Sequence, residues 1–363
     1  MSAQRVVVLG GGIVGLACAD ELVHAGHDVT VLDPSPGGGA SRAAAGMLAP
    51  GGEAWFGEEP LLRLGLDSAA RWPAYAADLE RRSGHRVDLR ATGTLLVGCD
   101  HDDLTEVRRT AALLEQHEVV VEDLDRRELR EREPTLTSRV AGGAYLPHDH
   151  QVNPRRVTTA LLHLLGPRVR HQRGATTGDG VRLDDGTHLT ADVVVLATGT
   201  GMPGTRPVRG EIVRARTDDP PRRVVRAQVH GDRVYVVPRA DGEVVIGATV
   251  EEHAPAQQPL PTLGGTARLL ENARTLLPGL ERAELLEVLA RDRPGSPDNG
   301  PLIGPWTGSD GTRVLAAGGH HRGGVLLAPV TAAAVRAYVE ETAVPEVARP
   351  FTPDRFDQRG VQV

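Results

Sequence analysis

Several groups of residues in this chain have the types and spacing to do chemistry. Gly10-Gly11-Gly12-Ile13-Val14-Gly15 is followed about 20 residues on by Asp33. This G-x-G-x-x-G pattern with a following acid is the signature of a dinucleotide site. Gly10 permits the tight turn, Gly12 lets backbone N–H groups approach a pyrophosphate, and Gly15 lets helix and strand pack closely. The phosphate would sit on the positive end of the next helix, and Asp33 would accept hydrogen bonds from the adenosine ribose hydroxyls. A different constraint comes from the basic residues, since all 41 Lys+Arg positions are arginine. A lysine Schiff base, a pyridoxal-phosphate site and a phosphate-loop lysine are thereby excluded. His148-Asp149-His150 and His320-His321 suggest metal ligands, and in a strand His148 and His150 would share a face. No third ligand follows at a metal-binding spacing, so no metal is expected.

Composition narrows the classes further. The 363 residues suit two packed domains, and the net charge of −7 without a basic aromatic patch argues against a nucleic-acid partner. Cys18 and Cys99 are too few for a disulfide framework or a four-ligand metal site. The first apolar run, Val6 to Leu9, stops at Gly10-Gly11-Gly12 and is too short for a signal peptide. No stretch approaches the ~20 apolar residues of a membrane span, and no basic amphipathic helix suggests membrane contact. A cytoplasmic protein is expected.

The elements that must position these residues can be read from hydrophobic spacing. Arg5–Leu9 reads as a buried parallel strand, Ile13–Ala25 as a helix closed by Gly26, and Val29–Leu32 as the next strand. Leu61–Arg82 is helical, with Pro73 expected to kink or divide it. Val87–Gly98 reads as strands, His101–His117 and Arg126–Glu133 as helices, and Pro154 as the first turn of a helix to about Leu165. Val181–Leu183 and His188–Leu189 form a hairpin, and Ala191–Ala197 is an apolar strand closed by Thr198-Gly199. Strands dominate 207–250 and one more lies near Leu285–Leu289; helices are expected over Thr262–Leu277 and from Val325 to about Glu340. The fold class is α/β, a Rossmann-like nucleotide domain with an inserted antiparallel-sheet α+β domain.

The glycine motif alone does not choose between NAD and FAD. The segment ASRAAAGMLAP at 40–50 reads either as backbone run against a flat ring system or as a loop followed by an alanine helix. Together with GGGIVGLACADELVHAGHDVTVLD, VVVLATG at 193–199, VYVVPRADGEVVIGAT at 234–249, RPGSPDNGPLIG at 293–304 and GGHHRGGVLLAPVTAAA at 318–334, it resembles the D-amino-acid-oxidase-like flavoproteins. The similarity is strongest to the glycine oxidases of thiamine biosynthesis. The resemblance implies an FAD-binding domain over 1–80, 150–205 and 300–345, a substrate domain over 81–149 and 206–299, and a C-terminal tail over 346–363. It implies non-covalent FAD held by Gly10, Gly12, Ile13, Val14, Gly15, Asp33, Pro34, Ala40, Ser41, Ala45, Gly46 and Met47. Gly174 would lie at the adenine end, with Thr198 and Gly199 beside the cofactor. His320, His321, Arg322, Gly323, Gly324, Val325 and Leu326 would offer backbone N–H groups to the pyrimidine side of the flavin, where charge accumulates on reduction.

By the same resemblance, Arg293 would clamp a small amino acid's carboxylate, Tyr235 would donate to it, and Arg322 would close the other side of the pocket. A bidentate guanidinium is the partner a buried carboxylate needs. The expected reaction transfers hydride from the α-carbon to flavin N5, with oxygen as acceptor. It would yield an α-keto acid, ammonia and peroxide, and could supply imine to a thiazole synthase partner. A homo-oligomer is expected. Three departures bear on the substrate: Arg291-Asp292 precede the clamp, His321 and Gly323 replace an aromatic and an asparagine, and Val250 stands at a methionine position. The other readings are a D-amino acid or N-alkylglycine oxidase or dehydrogenase, an NAD-dependent dehydrogenase, and a redox-silent dinucleotide module.

Overall fold

The computed structural model describes residues 2–252, 259–306 and 311–356. Val6 to Leu9 carry no polar side chain, so the strand Arg5–Leu9 can be buried inside a sheet. It lies in a six-stranded sheet ordered Leu302–Pro305, Arg313–Gly318, Val193–Leu196, Arg5–Leu9, Asp28–Leu32, Val169–Arg170. Only the Leu302–Pro305 edge runs antiparallel to its neighbour. The helix Ile13–His24 turns out of the sheet through Ala25 and Gly26, whose φ of +90 falls in the left-handed region that favours glycine. It packs beside Ala328–Glu340, and their apolar faces form one core with the strands.

Pro73 does not divide its helix: Glu59–Ser83 runs continuously through it. Pro73 lacks the N–H for one helical hydrogen bond, a single loss in 25 residues, while side chains anchor the same stretch to the chain's far end. Ser68 Oγ and Trp72 Nε1 both donate to the Leu326 carbonyl, at 2.6 and 2.9 Å. Other boundaries also differ from the spacing. Of Val87–Gly98 only Thr94–Gly98 is strand, the last helix starts at Ala328, and the strand near Leu285 extends over Glu284–Gly295. That extension follows from tertiary pairing: Glu284–Gly295 runs antiparallel along the whole of Arg206–Arg216. The C-terminal tail is described to residue 356, with Phe351 and Phe356 buried; its last seven residues lie outside the described residues.

The second, nine-stranded sheet contains Thr94–Gly98, Glu122–Asp125, Gly142–Leu146 and the strands between 206 and 295. Its register aligns Arg226, Tyr235, Gly247, Ile212 and Leu289 in one cross-strand row, so their side-chain positions share a face. Alternation puts Arg291 and Arg293 on that face and Asp292 on the other. The opposite face packs beneath the helix Leu263–Leu276. There buried Glu211 accepts from the Thr262 amide and hydroxyl, both at 2.8 Å.

The first face meets the nucleotide-binding half through Ile212, Val224, Val237 and Val245 packed with Ala43 and Ala45. Buried Arg239 ties the two halves together. Its guanidinium donates to Gln151 Oε1 at 2.8 Å, to the Val152 carbonyl at 3.1 Å and to the Ala45 carbonyl. Burial and neighbouring Arg214 lower its pKa to about 10, still charged at neutral pH. Arg239→Ala is expected to destabilise the protein by about 3 kcal/mol in urea unfolding, because three buried acceptors lose a charged donor. An unchanged midpoint would contradict this role.

Candidate functional site

The cradle at the first glycine turn is shaped by steric necessity. A Cβ at Gly10 would overlap the Ala197 carbonyl, and one at Gly15 the Gly10 carbonyl; Gly10 also has φ +111. Above Gly12 the nearest atom to such a Cβ is Ser41 Oγ, at 3.4 Å. Asp33 accepts from the Gly11 amide at 2.6 Å and the Ser35 amide at 2.7 Å, while Ser41 Oγ accepts from the Ile13 amide at 2.9 Å. The amides of Gly12 and Val14 have no hydrogen-bond partner among the described residues. These are the orphan donors of a helix N-terminus, the groups that take phosphate oxygens.

The remaining expected cofactor residues are arranged around this turn. Pro34 is exposed at the end of Asp28–Leu32, and Ala40 and Ser41 begin the short helix Ala40–Ala43. Ala45, Gly46 and Met47 lead into the two-residue strand Met47–Leu48, and a Cβ at Gly46 would overlap the Val152 carbonyl. Gly174 fits against Leu9 and Leu32, and Thr198-Gly199 follow the strand that pairs with Arg5–Leu9. On the loop after Arg313–Gly318, the amides of Gly324, Val325 and Leu326 lack partners among the described residues. Orphaned amides at both loops, with glycines where side chains would intrude, fit a flavin dinucleotide.

Over the sheet, Arg293 and Tyr235 face the same space. A Cβ at Gly210 would overlap the Arg293 guanidinium, and one at Gly247 the Tyr235 hydroxyl, so each of the two side chains lies flat across a glycine. Arg293 Nη1 donates only weakly, to the carbonyls of Arg209 at 3.5 Å and Thr249 at 3.3 Å. Its charge is left for an incoming anion. Burial pushes the Tyr235 hydroxyl above its ordinary pKa, more than Arg293 lowers it, so it stays a neutral donor.

Glu53, which spacing did not single out, completes the pocket. It accepts from Arg226 Nη1 at 2.5 Å and pairs with Arg322 Nε at 3.4 Å. Burial opposes its charge, but Arg226 and Arg322, with Arg293 beyond, hold its carboxyl below the usual range. Arg322 also approaches Glu58, at 3.8 Å. Trp55, between the two glutamates, stacks on the Arg233 guanidinium at 4.3 Å. Arg291 and Asp292 do not pair with each other: Asp292 takes Arg209 at 2.9 and 3.1 Å on the far face, and Arg291 donates to the Gly38 carbonyl at 3.1 Å. Val250 is 62% exposed. Among the described residues Asp100, Asp103 and His230 come within reach of one ion, but both carboxylates already cap a helix and the His230-Gly231 turn.

His320 and His321 are neutral in the fold. Burial lowers both to about 4, and for His321 the charges of Arg322, Arg293 and Arg206 add to it. His320 Nε2 meets Thr331 Oγ1 at 2.9 Å; His321 Nε2 is buried with no partner among the described residues. The unfolded chain therefore binds protons from about 6.5 downward that the native state refuses until about 4, so stability falls with pH across that window. Urea midpoints measured between pH 7 and 4.5 should show this loss, and His321→Gln should reduce it. Gly210→Ala should displace the Arg293 guanidinium and weaken binding of a small carboxylate at least about tenfold by calorimetry; unchanged affinity would refute the stacked geometry.

Comparison with known proteins places the chain in a family. Residues 5–337 match the family described as "FAD dependent oxidoreductase". Glycine oxidase from Geobacillus kaustophilus is 30% identical over 96% of this chain and 96% of its own. Its crystal structure superposes with a TM-score of 0.88, covering 96% of this chain and 98% of that one. The bifunctional protein ThiO/ThiG of Trichormus variabilis is 31% identical over 98% of this chain, which spans only 56% of that longer protein. With the orphaned amides, the glycine-lined cradle and this match over most of its length, the chain belongs to the DAO family of FAD-dependent oxidoreductases.

Proposed function

We propose that this protein oxidises glycine, or a comparably small amino acid, to its α-keto acid with release of ammonia and hydrogen peroxide. The observation that carries this reading is the Arg293 guanidinium, stacked on Gly210 beside the Tyr235 hydroxyl, with only backbone carbonyls as hydrogen-bond partners among the described residues. Such a group takes a carboxylate in a fork of parallel hydrogen bonds, and Tyr235 can donate a further one. FAD, when bound, would accept the hydride equivalent from the substrate and pass its electrons to oxygen.

The chain's own residues contribute orientation. Arg293 and Tyr235 fix one end of the substrate, which turns the α-carbon to one face and converts a bimolecular encounter into an ordered one. Glu53, held anionic, offers an acceptor to the amine. No side chain need act as general base, provided the amine enters neutral. Per turnover, glycine, oxygen and water give glyoxylate, ammonia and peroxide. The relatives named glycine oxidase and ThiO/ThiG support the substrate and a role in thiamine biosynthesis, where the imine would serve a thiazole-forming partner. The exposed Val250 leaves room for a D-amino acid or N-alkylglycine as the rival substrate.

The purified yellow holoprotein should bleach anaerobically with glycine and produce peroxide when air is admitted. Arg293→Ala should stay yellow and lose nearly all glycine-dependent bleaching. Bleaching at the parent rate would refute the clamp. A panel of glycine, sarcosine, D-alanine and D-proline ranks the substrates, and glycine falling last would overturn the assignment.

A further inference from the structure

Asp149 is a fully buried carboxylate that the proposed chemistry does not use. It lies in the turn between Gly142–Leu146 and His150–Gln151, and its side chain grips consecutive amides of another segment. Oδ1 accepts from Gly51 N at 3.1 Å and Oδ2 from Gly52 N at 2.6 Å. The turn itself is fixed from below, since Thr94 Oγ1 donates to the Asp149 carbonyl at 3.0 Å. Both gripped residues are glycines for cause: a Cβ on Gly51 would approach both carboxylate oxygens to 3.3 Å, and one on Gly52 would lie 3.0 Å from Arg226 Cδ. The residue after Gly52 is Glu53.

We propose that Asp149 is a positioning residue: by holding Gly51 and Gly52 it keeps Glu53 between Arg226 and Arg322, and so lets the pocket discriminate amine-bearing acids from acids without an amine. Fixed there, the Glu53 charge attracts an amine and repels a second anionic group. Released, it would leave Arg226 uncompensated and Arg322 with Glu58 alone at 3.8 Å, and the pocket would take any small carboxylate. The grip needs an ionised Asp149, because a protonated oxygen presents a donor to one of the two amides. The groups facing it are Arg226 from the sheet, which favours ionisation, and Glu53, which opposes it; His148 and His150 flank it in its own turn. Burial outweighs the two amides and Arg226, and brings its pKa to about 7.

The role in amine selection rests on the glycine reading; the grip itself does not, and the test separates them. Trp55 sits on the held segment and reports it without any substrate. In the FAD-loaded protein, tryptophan emission should show a transition near pH 7 that is absent from both Asp149→Asn and Trp55→Phe. At pH 8, glycolate should bind Asp149→Asn about tenfold more tightly than the parent, read from the flavin absorbance. The pH dependence of that affinity should vanish in the variant. A parent without the Trp55-dependent transition, a variant that retains it, or equal glycolate affinities at pH 8 would each overturn the proposal. Should Asp149→Asn not fold, the parent and Trp55→Phe titrations alone decide it. Failure of the glycine reading would appear elsewhere, as a parent flavin that glycine does not bleach while the emission transition persists.

Discussion

Guanidinium groups repel one another, and this pocket gathers Arg226, Arg293 and Arg322 around a space a small acid could enter. None can relieve the strain by losing its proton, as a buried lysine would. The repulsion is offset by carboxylates instead, and their placement decides which arginine is left with unspent charge. Glu53 takes Arg226 and shares Arg322 with Glu58; among the described residues Arg293 has only two long hydrogen bonds, both to carbonyls. Under the proposed function, selectivity for one anion would follow from this asymmetry rather than from the number of arginines.

Holding like charges in fixed positions demands a stiff platform. The strand pair Arg206–Arg216 and Glu284–Gly295 provides one, and its alternation sorts charge by face. Arg293 goes to the pocket, while Asp292 meets Arg209 on the far side, where both are nearly buried. Glycines at 210 and 247 remove the side chains that would otherwise stand beneath the clamp. Arg239 then bolts this platform to the backbone at Ala45, so the sheet and the segment expected along the flavin share one frame of reference.

The nucleotide turn was legible because all its requirements are local: a tight turn, a close approach and a helix start fall within six consecutive residues. Helix and strand spacing was legible for the same reason, down to Pro154–Leu165. Glu53 was not. It lies in an irregular loop with no period to mark it, and its partner Arg226 is 173 residues away. Nor did the chain announce that Pro73 would be tolerated, since the anchoring carbonyl belongs to Leu326. The length of Glu284–Gly295 was hidden likewise, because a strand whose neighbour is distant in sequence takes its extent from that neighbour. Arg291 and Asp292 adjoin in sequence, yet alternation in a strand turns adjacent residues to opposite faces.

Peroxide production would expose such a protein to its own oxidant. The two thiols are poorly suited to react, because attack on peroxide requires thiolate. Burial raises the Cys18 pKa far above neutrality, and burial with nearby Asp103 and Asp100 pushes Cys99 up to about 12. Among the described residues the vulnerable sulfur is a thioether. Met47, partly exposed and 3.4 Å from the Arg226 guanidinium, lies on the segment expected to border the flavin. Oxidative ageing of the enzyme during turnover would therefore convert that methionine to its sulfoxide.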